Sequence, residues 1–141
     1  MFANTDRTEL RQFYFEVWHK YQQQQFLEPL EQQVLHIILQ HPEYQDLFDN
    51  PEKYLTQDYL PEMGKTNPFL HLSLHQALLE QVTTDRPTGI RAIYSQLTQR
   101  YGAHAAEHQL MEVLTATLWE GIQQGTFISE TDYLERLKRL T

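Results

Sequence analysis

The chain predicts an all-α fold, and three observations carry that prediction. No stretch shows the period-two alternation of a half-buried strand, apolar residues recur at three- and four-residue spacings along several long segments, and Pro, Asn and Gly stand where helices start and stop. The expected architecture is a single-domain helical bundle over residues 1–141, with four main helices and short accessory helices. A chain of this length buries roughly two-thirds of the surface it exposes when unfolded, so it needs no staple.

Helix one is expected from about Asp6 to Gln22. Asp6 and Glu9 have capping-box spacing, and Leu10, Phe13, Tyr14, Val17, Trp18 and Tyr21 recur at helical intervals. His19 falls on the opposite face. The glutamine tract 22–25 reads as a connection. Pro29 suits a first helical position, and Leu30, Val34, Ile37, Ile38 and His41 then share a face until Pro42 stops the helix. His41 ends that helix pointing inward, where an imidazole also caps the negative end of the helix dipole. His36 lies on the outer face, and Glu31 at the edge of the apolar arc.

Prolines 42, 51 and 61 break residues 42–66 into short turns, yet Tyr44, Leu47, Phe48, Tyr54, Leu55, Tyr59 and Leu60 are too apolar for a free linker. This segment is expected to pack across the bundle as a lid or strap. Asn67 then caps a helix to about Val82, with Pro68 in its first turn. The turn cluster 85–89 precedes a helix that Gly102 ends. A further helix covers about Ala103 to Gln124, with Gly125 as its stop, and Ser129 with Asp132 caps a short last helix.

Composition narrows the function classes. Nineteen acidic residues against 11 basic ones give a formal net charge of −8, which disfavours nucleic acid and anionic membrane surfaces as partners. With no cysteine there is no disulfide, thiolate ligand or cysteine nucleophile, and the chemistry falls to His, Asp, Glu and Tyr. There is no signal-peptide pattern and no apolar run approaching the ~20 residues of a bilayer span. A cytoplasmic location is expected.

Two runs carry ligand-type residues. On the helix after Asn67, at roughly 100° per residue, His71, His75, Leu78 and Val82 project within about 40° of one another, so both histidines stand in the apolar stripe. Imidazoles at i and i+4 lie about 6 Å apart, close enough for both to reach one metal ion. On the later helix His104, His108 and Glu112 follow the same spacing at the margin of a face built from Met111, Leu114, Leu118 and Ile122, with Thr115 and Trp119 continuing the edge. The short connections around the intervening helix make its neighbours parallel, so His71, His75, His108 and Glu112 all fall roughly 5 to 13 Å from the same end of the bundle. His41 arrives at that level if its helix is antiparallel to both.

This pattern predicts one or two transition ions held by His71, His75, His108 and Glu112, with His104, His41 and Glu31 as further ligands. The donors suit Fe, Mn or Zn better than Mg or Ca, and no nucleotide or organic cofactor is indicated. A redox, sensing or metal-handling task would follow, and no nucleophile or general base is separately marked. The spacing is similar to the helix motifs of hemerythrin-like proteins, although the remaining ligand positions of that family have no clear match. The competing class is a metal-free interaction module whose acidic surface and 42–66 strap bind a protein partner, its histidines serving as core hydrogen-bonders.

The runs His41-Pro42-Glu43-Tyr44, Asn67 to His75, Pro87 to Arg91, and His104 to His108 with Glu112 and Leu118-Trp119 resemble the bacterial domain-of-unknown-function family eighteen-forty-one. The resemblance spans nearly the whole chain. It implies a small single-domain proteobacterial protein and supplies no activity.

Overall fold

Hydrogen bonds at helix ends explain most of the element boundaries in the computed structural model, which describes residues 4–59 and 67–141. The side chain of Asp6, together with Leu60, Pro61 and residues 63–66 of the expected strap, lies outside the described part. The described residues form eight α-helices and one 3-10 turn, with no strand among them. The chain divides into two compact units, Met1–Leu72 and Ser73–Thr141.

In the first unit α1 (Asn4–Gln22) packs on α2 (Pro29–Leu39). Pro29 opens α2, and Glu31 accepts from the backbone N–H of Glu28 (2.9 Å), closing its first turn. Beyond α2 come the 3-10 turn Pro42–Tyr44, then α3 (Gln45–Asp49) and α4 (Pro51–Tyr54), each proline starting an element because its missing N–H costs nothing there. The core holds Tyr14, Val17, Val34, Ile37, Ile38, Leu47, Phe48, Phe69 and Leu72. Its aromatics meet edge-on, Phe15 lying 5.9 Å from both Phe48 and Phe69 between ring centres.

The buried stripe of α1 is the expected one at Tyr14 and Val17 but departs from it toward both ends. Leu10 and Tyr21 are exposed, whereas Arg11 is only 1% exposed. Its Nη1 donates to the carbonyls of Tyr54 (3.1 Å), Leu55 (3.1 Å) and Gln57 (2.8 Å), and its guanidinium lies 4.5 Å from the centre of the Phe69 ring. An irregular segment has unpaired carbonyls, and a planar cation with an apolar stem satisfies them while filling core space. Part of the predicted strap is thereby tied to α1.

In the second unit, the greater part of α5 (Pro68–Thr84) is followed by α6 (Ile90–Tyr101), α7 (Ala103–Gln124) and α8 (Glu130–Lys138). Asn67 accepts from the N–H groups of Phe69 (3.0 Å) and Leu70 (3.2 Å), as the cap reading requires. Asp85 accepts from Gly89 (3.1 Å) and Arg91 (3.0 Å) to start α6, and Ser129 accepts from Asp132 (3.1 Å) to start α8. Leu78, Ile90, Leu97, Ala106, Leu110, Leu114 and Leu137 form the centre of the core.

The inward face of α7 is also rotated from the expected one. Ala106, Glu107, Leu110, Met111, Leu114, Thr117 and Gly121 are buried, while Leu118, Trp119 and Ile122 are exposed. Gly121 supplies the reason. A Cβ there would stand 2.7 Å from the carbonyl oxygen of Thr126, in the connection that folds back along α7. Small residues therefore face inward where the chain returns, and larger apolar ones are turned out.

Candidate metal centre

His41 follows the last turn of α2. Its backbone N–H donates to Ile38 (3.0 Å) and its ring Nδ1 to the carbonyl of Ile37 (2.7 Å), so it caps the helix through hydrogen bonds. The ring is 2% exposed and stacks on Tyr44, with planes 9° apart and centres 5.3 Å apart. Its Nε2 lies 3.0 Å from Nε2 of His71, in the first turns of α5. Within the first unit, then, two imidazole nitrogens face each other at the separation of either an N–H···N hydrogen bond or two ligands of one ion.

One turn further along α5 stands His75, fully buried. Its Nε2 donates to Oε1 of Glu107 at 2.6 Å, a short, charge-assisted contact. The other carboxylate oxygen of Glu107 accepts from the hydroxyl of Tyr94 on α6 (2.9 Å). Burial, then the hydrogen bond to Glu107 and its charge, push the Tyr94 phenol up to about 12, so the hydroxyl stays a donor at all ordinary pH. His108 lies one residue past Glu107 on α7. Its ring centre is 5.2 Å from that of His75, and its Nδ1 donates to the carbonyl of His104 (2.8 Å). The second turn of α5 thus meets the start of α7, the height at which the two runs were expected to coincide.

The first unit thus holds one imidazole pair, His41 with His71, and the second holds another, His75 with His108. The remaining predicted ligands lie outside these pairs. Glu112 is exposed. His104 is exposed too, and serves through its carbonyl and a ring 4.3 Å from that of His108. Glu31 is buried but accepts from Lys20 (2.8 Å) and from the backbone of Glu28, which hold its carboxyl below the usual carboxylate range. It also stands ten residues, roughly 15 Å, from His41 along α2. Trp119 and Thr115, expected to continue the edge of the site, are exposed. His19 and His36 are exposed as expected.

Sequence reasoning missed Glu107. A signal was present: it precedes Leu110, Met111 and Leu114 by three, four and seven residues, so a carboxylate stood in the middle of an apolar stripe. The more regular His104–His108–Glu112 spacing drew attention one residue round the helix.

Imidazoles without a thiolate or carboxylate form a neutral donor set. Such a set suits Zn, Cu, Fe or Ni, whereas carboxylate-rich sites suit Mg, Ca and Mn. Among the described residues no helix is long and apolar enough to cross a membrane. A family model described as a domain of unknown function, DUF1841, matches residues 6–139. No curated protein and no solved structure matches the chain.

Proposed function

For a chain that belongs to the DUF1841 family, whose description names no activity, we propose that it binds one divalent transition ion, zinc or iron, through His41, His71, His75 and His108. The observations that support this reading are two close imidazole pairs, one in each unit: His41 with His71, 3.0 Å apart between Nε2 atoms, and His75 with His108, 5.2 Å apart between ring centres.

One ion fits this donor set better than two. Adjacent ions are held together by bridging carboxylates, and Glu107, the carboxylate beside His75, spends its oxygens on His75 and Tyr94. Manganese, considered on sequence grounds, is disfavoured by the absence of a carboxylate in the group. Neutral donors leave the ion's charge largely uncompensated and so favour the divalent state. Four protein ligands fill a tetrahedral zinc site and leave two positions on an octahedral iron. The task that follows is a redox, sensing or metal-handling one.

The rival is a metal-free brace in which His71 donates to His41, and the 3.0 Å separation favours it equally. Elemental analysis of untagged protein separates the two. The metal reading expects about one ion per chain, lost in His75→Ala and His108→Ala variants that keep their helical circular dichroism. Wild type that stays substoichiometric after incubation with Zn²⁺ or with Fe²⁺ under anaerobic conditions would sink it.

A further inference from the structure

We infer that Glu107 is a positioning residue that makes Nδ1 the metal-binding atom of His75, whereas His41 and His108 bind through Nε2, and that Tyr94 anchors Glu107 in this role. The inference rests on the metal reading above and deepens it, naming the donor atom of three rings and two residues that support the ion without touching it.

A neutral imidazole carries one N–H and one lone pair, and only the nitrogen with the lone pair binds a metal. Carbonyl and carboxylate oxygens accept hydrogen bonds and donate none, so whichever ring nitrogen contacts one must carry the proton. In His41 that nitrogen is Nδ1, against the Ile37 carbonyl at 2.7 Å, and in His108 it is again Nδ1, against the His104 carbonyl at 2.8 Å. Both acceptors lie four residues earlier in the chain, within reach of the nitrogen nearer the backbone. The lone pair is left on Nε2.

His75 is arranged the opposite way. Its Nε2, at the far end of the ring, donates to Glu107 at 2.6 Å, which assigns the lone pair to Nδ1. A carbonyl of its own helix could not make that contact, so an acceptor had to come from α7. The carboxylate does more than hold a tautomer, because an anionic acceptor strengthens the opposite nitrogen as a metal ligand and sets negative charge beside an otherwise neutral ligand set. Tyr94, donating to the other oxygen at 2.9 Å, fixes the plane of the carboxylate and leaves Oε1 aimed at His75.

The test begins with wild-type full chain freed of metal by chelation. Long-range ¹⁵N–¹H correlation spectra report the tautomer of each ring without requiring a variant. His75 is expected as the Nε2–H form, and His41 and His108 as the Nδ1–H form. Zn²⁺ is then titrated against a competing chelator into wild type, Glu107→Gln and Tyr94→Phe. Zinc should shift Nδ1 of His75, Glu107→Gln should bind about 10- to 100-fold more weakly with unchanged helical dichroism, and Tyr94→Phe should lose less in the same direction. An Nδ1–H or a cationic His75 in the metal-free chain overturns the inference, as does Glu107→Gln binding as tightly as wild type. Either result leaves the metal reading standing if wild type takes up zinc. Wild type that takes up none overturns both.

Discussion

Replacing Glu107 by leucine in the metal-free protein isolates what its network contributes to stability. His75 is fully buried and Glu107 3% exposed, so Glu107→Leu removes the acceptor of one deeply buried N–H and of the half-buried Tyr94 hydroxyl. A buried donor left without its acceptor costs about 1–3 kcal/mol, and breaking a buried charge-assisted pair about 3–5 kcal/mol. We expect Glu107→Leu to lose about 3–4 kcal/mol, near 10 °C in Tm for a chain of this size. His75→Leu should lose about 2–3 kcal/mol. The double variant removes donor and acceptor together and fills the space with apolar atoms, so it should return to within about 1 kcal/mol of wild type. Urea denaturation of the four proteins in the presence of chelator gives the cycle, with an expected coupling of at least about 4 kcal/mol. Single variants within about 0.5 kcal/mol of wild type, or a double variant equal to the sum of the singles, would refute the reasoning. A near-neutral double variant also means that the network is not required for folding.

Gly121→Ala should destabilise by about 1–2 kcal/mol in thermal unfolding, although alanine is the better helix former by about 1 kcal/mol, because the new methyl meets a backbone oxygen at 2.7 Å. Arg11→Met should cost about 2–4 kcal/mol in urea and raise the proteolytic sensitivity of residues 54–57, whose carbonyls lose a charged donor. Asp85 has its carboxyl held below the ordinary range by the N–H of Arg91, with Gly89 adding to it. The unfolded chain therefore takes up that proton first, and the stabilisation present above the ordinary carboxylate value is lost as pH falls through the folded-state value. Asp85→Asn keeps one acceptor and removes the proton linkage, so its denaturation midpoint should fall less steeply than that of wild type on the acid side.

Element positions were legible because their signals are local. Asn67-Pro68, Asp85 to Gly89, Gly125 and Ser129 act through the nearest backbone groups, and each stands at a helix end as expected. Facing is a different matter, since it depends on what approaches from another element. Hydrophobicity alone pointed α7 toward Leu118 and Ile122, but the returning chain beside Gly121 needs small side chains, and burial followed closeness of approach. The same logic hid Arg11, whose partners are carbonyls of a segment more than forty residues away. At the candidate centre, spacing pointed to His41, His71, His75 and His108 as proposed ligands, and could not point to Glu107. Its significance is a tertiary contact with His75 and Tyr94, not a repeat along its own helix.

Arg11 performs a task that usually falls to a second stretch of main chain. Two hydrogens on Nη1 are shared among three carbonyls, so a single side chain replaces a run of backbone donors. A segment gripped through its carbonyl oxygens presents the same handle whatever side chains it carries. Residues 54–57 are thus free to vary in sequence while keeping their path, and the constraint is transferred to one position on α1. Lysine would not fully replace it, since its ammonium lacks the planar face that lies against Phe69.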